Sequence, residues 1–513
     1  MSLKQKIGQL ITLGIPSPRF SQEDINLIKT IEPGGVIYFS RNIKKPAQIR
    51  ELSQALQNLS STPLFICTDQ EGGSVLRIID GVTVFPGNMA LGATKSTAMS
   101  YQAGKITGEE LYRLGINMNL APCLDVNNNP KNPVIGLRSF GEDPKLVADL
   151  GSAFALGLQD ANVISTGKHF PGHGDTEIDS HHLLPVVGHD KNHLDEVELL
   201  PFKDAIQKGI GAIMTAHIAF PAIEENTKIP ATLSKKVLTG LLRDELGFKG
   251  LIMTDCMEMK AIKDSFGTIE GAVLAIEAGA DMILVSHTPS LQLQVFNALL
   301  EAVNLNRISE KTLHKAVLRI LKTKSDFGII GQDWAKSRLE KPLKANTDTA
   351  TFIAKSALTV LKGKDLLPIN GKIAVIDFET KAKTIAEEVI KNEVYLGDLA
   401  PKEAVKIRLA SNGEDYSEEL VAIKALDADI FVVQTMDAHL NRNQMEFVKE
   451  LKCFGKLIFA VGLRAPYEYS VLKEYVDLYL ATYSYRKSSL EAAWDVLTGK
   501  ARAPGILPVT VIG

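Results

Sequence analysis

The 513-residue chain is poor in cysteine: only Cys67, Cys123, Cys256 and Cys453, and no two form a CxxC pair. That excludes a zinc finger or a thioredoxin-like motif. Four scattered cysteines in so long a chain fit a reducing compartment. Long hydrophobic runs are also missing, and none approaches the roughly 18–20 apolar residues of a membrane span. Neither sign of charge dominates: 57 basic against 60 acidic residues leave −3. A protein held to nucleic acid or a membrane surface by bulk charge is thereby excluded. Short-period repeats and low-complexity segments are absent. The N-terminal MSLKQK followed by IGQLITLGIP imitates a secretion signal. The apolar stretch is short, carries a Gln and lacks a small-residue cleavage site. It reads as the first strand of the fold, and the expected location is cytoplasmic.

What is present is a soluble globular composition, 45% hydrophobic and 23% charged, long enough to bury a large core without staples. Apolar runs recur and end in polar or titratable residues. GGVIYFS leads to Arg41, PLFICT to Asp69, INMNLAPCL to Asp125 and VISTG to Lys168 and His169. AIMTA leads to His217, LIMT to Asp255 and DMILVS to His287. With IGQLITLG these make eight candidate strands. Helix patterns lie between them at 21–31, 47–59, 98–115, 145–161, 234–246, 269–279 and 309–328. Strand–helix alternation of this kind predicts a (β/α)8 barrel over 1–330, with its active face at the strand C-termini. A connection over 331–348 should follow. Over 349–513, four strands (372–378, 429–435, 456–462, 476–482) and four helices (382–391, 417–426, 443–454, 489–497) predict a smaller α/β sandwich. No glycine-rich phosphate loop opens it, so nucleotide binding is not supported.

Four segments carry chemistry. The densest is KHFPGHGDTEIDSHH (168–182), and six of the ten histidines fall between 169 and 193. Pro171, Gly172 and Gly174 force an irregular loop after a strand. Asp179 stands two residues from His181, close enough to orient an imidazole that exchanges protons near neutral pH. A metal site from His169, His173, Asp175 and His181 is the rival reading, although no HExxH helix is present. In LIMTDCMEM, Asp255 ends an apolar run, where a carboxylate can be a base, a metal ligand, a helix cap or a nucleophile toward an anomeric carbon. Cys256 has no basic neighbour in sequence and reads as a buried small hydrophobe. In TDQEGGSVLR, Asp69 and Arg77 flank a tight turn and can hold hydroxyls, or simply form an ion pair. Arg138, in NPVIGLRSFGEDP, lies in a loop whose Pro/Gly geometry suits ligand contact.

These strings, in this order, resemble glycoside hydrolase family 3, and most closely its bacterial β-N-acetylglucosaminidase branch. MTAHIAFPAI and the closing GILPVTV are lesser echoes. The resemblance is strong over 1–330 and weaker over 349–513. It implies Asp255 as nucleophile, His181 as acid/base and Asp179 as the partner of His181. It implies Asp69, Arg77, Arg138, Lys168 and His169 as the sugar-holding set. Neither cofactor nor metal is implied. The expected partner is a small carbohydrate or muropeptide, not nucleic acid. Most family 3 glucosidases draw their acid/base carboxylate from the second domain; this branch places a His on a barrel loop. TDCMEM departs from the DDL-type string common in the branch, though its Asp and later Met are kept.

The implied reaction is retaining hydrolysis of terminal β-linked GlcNAc through a covalent glycosyl-enzyme, with peptidoglycan fragments as expected substrates. Phosphorolysis at the same Asp/His site, and β-glucosidase activity, remain as alternatives. So do a non-catalytic sugar-binding protein and a metal-dependent hydrolase.

Overall fold

Eight short parallel strands close on themselves, each bonded to its neighbours in chain order. In this computed structural model, residues 1–177, 184–331, 343–379, 387, 394–410 and 415–511 are described. The barrel strands are β1 (Ile11–Gly14), β2 (Gly35–Tyr38), β3 (Phe65–Thr68), β4 (Met118–Asn119), β5 (Ile164–Phe170), β6 (Ala212–Thr215), β7 (Leu251–Cys256) and β8 (Met282–Val285). Closure comes from β1 against β8, with Leu13 opposite Val285. Their residues are almost all buried, as a parallel sheet covered by helices requires. Ile213, Ile252 and Ile283 are fully buried, and each such side chain contributes about 1.5–3 kcal/mol.

Local signals set most boundaries. Ser21 caps helix Gln22–Ile31 through a reciprocal pair with Asp24, and Asp143 followed by Pro144 starts Pro144–Asp160. One expectation needs correction. Residues 7–14 are not a single strand: a Ser2–Gln5 capping box starts helix Leu3–Gln9, and only Ile11–Gly14 is extended. The capping box wins over an apolar run that by itself suits either element. Helices Asn88–Thr94, Lys191–Glu196, Leu200–Gln207 and Pro289–Asn304 also went unforeseen.

A six-stranded sheet follows. Its strands are β9 (Thr359–Lys362), β10 (Ile373–Phe378), β11 (Val405–Leu409), β12 (Ile430–Thr435), β13 (Leu457–Gly462) and β14 (Leu478–Ala481), in spatial order β9-β14-β13-β12-β10-β11. Only β9 runs antiparallel to its neighbour. The four expected strands are its centre, and β9 and β11 are its edges. Helix Thr347–Ala357 begins at the end of the expected connection. The expected helix over 382–391 and most of 331–348 lie outside the described residues.

One face of this sheet shares its core with the barrel, since Met89, Ala90, Ala93 and Leu137 pack among Phe431, Tyr479 and Tyr483. The other face packs under Trp494. Polar ties join the two parts. Arg486 Nε donates to Gly73 O at 2.6 Å, and Asn127 Nδ2 donates to the Tyr467 hydroxyl at 2.7 Å. Among the described residues, no helix is long and apolar enough to cross a membrane.

Candidate active site

The C-terminal ends of the barrel strands open into a cavity of about 410 Å3. Asp69, Arg77, Arg138, Lys168, His169 and Asp255 all line it. Six of the eight sequence-nominated site residues are thus brought together. The other two, Asp179 and His181, lie outside the described residues. A second cavity, of about 530 Å3, lies where the barrel and second domain meet, and none of its lining residues ends a barrel strand.

Beyond β3 the chain turns through a small hairpin of Gln70–Gly72 and Val75–Leu76, which returns Arg77 beside Asp69. Arg77 NH2 lies 3.2 Å from Asp69 Oδ2, and Lys168 Nζ donates to Asp69 Oδ1 at 2.8 Å. Glu71, which the sequence reading did not single out, is the centre of the network. Lys168 Nζ lies 2.7 Å from its Oε1. Arg138 grips it with two bonds, Nε at 3.0 Å and NH2 at 2.9 Å. Such forks fix orientation as well as charge. The only sequence signal was spacing, because residues 69 and 71 project to the same side of an extended backbone.

Burial works against both carboxylates, and the cations overcome it. Asp69 is held below its usual range by Lys168 and Arg77. Glu71 is held down at about 2 by Arg138 and Lys168. Burial would likewise drain the proton from Lys168, but Asp69 and Glu71 push its pKa above the ordinary lysine value. The cradle is therefore fixed in its ionised form at neutral pH, offering acceptors and donors together.

His169 is aimed by Asp125, which is fully buried. Asp125 Oδ2 meets His169 Nδ1 at 2.7 Å, and its Oδ1 accepts the amides of His169 and His173 at 3.1 and 2.7 Å. Arg138 NH2 lies 3.3 Å from His169 Nε2. A guanidinium can only donate, so these partners put the ring proton on Nδ1. Asp125 is thus a positioning residue under the loop. Gly174 is needed here, since a Cβ would overlap Val126 O. His173 is buried against Thr176 (2.9 Å), and burial lowers its pKa to about 4. Asp175 pairs with His189. The four-residue metal site considered from sequence is therefore not assembled among its described members.

Asp255 stands near the end of β7, half-buried, and its Oδ1 accepts the Cys256 amide at 2.7 Å. His217 holds the same turn from below, with Nε2 at 3.1 Å from Cys256 O and Nδ1 at 2.8 Å from Thr232 Oγ1. Glu258 is occupied elsewhere, accepting the amides of His287 and Thr288 at 2.7 and 3.0 Å. It ties the loop after β7 to the loop after β8. Burial raises the Cys256 thiol to about 11, so it packs as a small hydrophobe, as expected. Arg41 and His287, unassigned from sequence beyond their strand-end places, form the far wall: Arg41 NH1 lies 3.1 Å from His287 Nδ1, and Arg41 stacks on Phe39, 4.5 Å from its centroid.

The Glycosyl hydrolase family 3 N terminal domain matches residues 2–323. The chain belongs to this family. As a family 3 member it is a glycoside hydrolase. The chain is similar to Beta-hexosaminidase A of Pseudoalteromonas piscicida, 35% identical over 94% of this chain and 90% of that protein. A Beta-hexosaminidase of Nitrosomonas eutropha is 37% identical over 50% of this chain and 74% of its own length. Among solved structures, a glycoside hydrolase family 3 beta-N-acetylglucosaminidase from Paenibacillus sp. str. FPU-7 superposes with a TM-score of 0.93 at 40% identity, covering all of both chains.

Proposed function

We propose that the enzyme is a retaining β-N-acetylglucosaminidase that releases terminal, non-reducing β-linked GlcNAc. The observation that carries this reading is one cavity holding both an ionised carboxylate–cation cradle and Asp255. Full-length likeness to a family 3 β-N-acetylglucosaminidase supports the choice of sugar. In this reading the barrel, residues 1–330, supplies the catalytic groups, and the connection 331–348 and the domain 349–513 need not, since none of their described residues lines the cavity. Asp69, Arg77, Lys168, Arg138 and His169 hold the hydroxyls of the terminal sugar, the carboxylate accepting and the cations donating.

With the ring so held, the Asp255 carboxylate attacks the anomeric carbon and forms a glycosyl ester while the glycosidic bond breaks. His181, oriented by Asp179, gives its proton to the departing oxygen. The same imidazole then takes a proton from water, which attacks the ester carbon and regenerates Asp255. Two inversions leave the β configuration intact. The natural substrates in this reading are cytoplasmic peptidoglycan fragments with GlcNAc linked to muramic acid or its anhydro form.

Paired rates on aryl β-GlcNAc and aryl β-glucoside test the substrate class. The acetamido-bearing substrate should react at least about a hundredfold faster, since losing well-placed hydrogen bonds costs a few kcal/mol. Equal rates, or a preference for the glucoside, would return the chain to the glucosidases of its family. Running both assays with added phosphate separates phosphorolysis, which yields a sugar phosphate in place of the free sugar.

A further inference from the structure

Away from the sugar cavity, a second group of titratable side chains is built on the segment that follows the histidine-rich loop. His189 and His193 stand four residues apart at the start of helix Lys191–Glu196, with their rings stacked 3.8 Å apart. Glu198 points at them from the next turn: its Oε1 lies 3.6 Å from His193 Nε2. One ligand atom from each of the three residues lies within 4.8 Å of the other two. Asp175 contacts His189 Nε2.

Beyond that 3.6 Å ion contact, the polar atoms at the centre of this group make no hydrogen bond among the described residues. Glu198 is 2% exposed, and neither carboxylate oxygen has a hydrogen-bond partner among the described residues. The same holds for His193 Nε2. Burying a carboxylate without hydrogen bonds is costly, and burial raises the Glu198 pKa accordingly. The other His/Cys/acid group, Cys123–Asp125–His169, differs. Its members bond one another at 3.1 and 2.7 Å and need nothing more.

We propose that His189, His193 and Glu198 form a binding site for a divalent transition-metal ion, zinc by ligand type. Two imidazoles and a carboxylate are an established zinc donor set. Ligand atoms around a tetrahedral zinc lie about 3.4 Å apart, given bonds of about 2.1 Å, so the present spacing closes with small side-chain rotations. Asp175 stands where a fourth ligand, or the carboxylate that orients a ligating imidazole, belongs. Both histidine side chains are 37% exposed, which gives the ion a route in. The site is structural. It fastens Asp175, in the loop after β5, to helix Lys191–Glu196, and Glu198 already packs on Gly172, where a Cβ would come within 2.8 Å of Glu198 Cβ.

The test uses the whole chain, stripped with a chelator, dialysed and titrated with Zn2+ by calorimetry and with Co2+ by visible absorption. One equivalent of Zn2+ should bind, Co2+ should give the intense bands of a tetrahedral site, and Zn2+ should raise Tm. His193→Ala and Glu198→Gln should each weaken binding at least about tenfold, whereas His314→Ala, at a distant exposed histidine, should not. His189→Asn, at a half-exposed ring, serves where a buried variant folds poorly. Wild-type protein that takes up no stoichiometric Zn2+ overturns the site. Unchanged affinity in His193→Ala, Glu198→Gln and His189→Asn overturns it equally, because the ion then sits elsewhere.

Discussion

His181 is the residue on which the proposed chemistry turns, and its loss should hurt most where the leaving group needs a proton. His181→Ala should cripple turnover of natural fragments but keep more activity on aryl substrates whose phenolate departs unaided. On those substrates deglycosylation becomes limiting, and added azide, which needs no base, should restore turnover and yield a β-glycosyl azide. Asp179→Ala should show a milder version. Equal losses on every substrate with no azide effect would remove His181 from the acid/base role. At this scale the sequence was readable where a residue ends an apolar run or sits in a Gly/Pro-bound loop: Asp69, Lys168, His169 and Asp255 were nominated that way, and all four line one cavity. Glu71 was not, because its importance comes from Arg138 and Lys168, 67 and 97 positions away in the chain. No local pattern encodes those meetings.

Among the elements, seven of the eight barrel strands were legible because each lies in a buried apolar run that leads to a polar residue; β1 lay in a run whose first residues are helical. Strand β11 was not. Its residues, VKIRL, are mostly exposed, since an edge strand carries charge that discourages further pairing and so loses the apolar signature. The opposite case is Lys324, on helix Glu310–Asp326. It is fully buried, with its amine donating to Gln9 Oε1 at 2.6 Å and lying 4.9 Å from the Phe65 ring centroid. Burial pushes its pKa from 10.5 down to about 7. The unfolded chain therefore keeps a proton that the folded protein gives up between these values. This group's contribution to stability is lowest below pH 7 and rises with pH above it, by about 2–3 kcal/mol between pH 7 and 9. Lys324→Met should accordingly raise Tm more at pH 6 than at pH 9. An equal shift at both pH values would mean that the amine keeps its ordinary pKa.

Across the whole molecule, the second domain supports the cavity from outside, since none of its described residues lines it. Arg486 bonds Gly73 O, in the hairpin that presents Asp69, Glu71 and Arg77. Arg486→Ala leaves that carbonyl unmatched, at about 1–3 kcal/mol. It should also lower kcat/KM about tenfold through a looser cradle. A fall in Tm with unchanged kcat/KM would confine the second domain to stabilising the fold. The central claim is that a barrel carboxylate, Asp255, carries the sugar. A 5-fluoro-GlcNAc fluoride tests it most directly, because the fluorine slows both steps while the acetamido group remains. The intact mass should rise by one fluorinated GlcNAc residue, and peptide mapping should place the label on Asp255. No covalent adduct, or a label on Glu258, Asp125 or any residue of the second domain, would contradict the account.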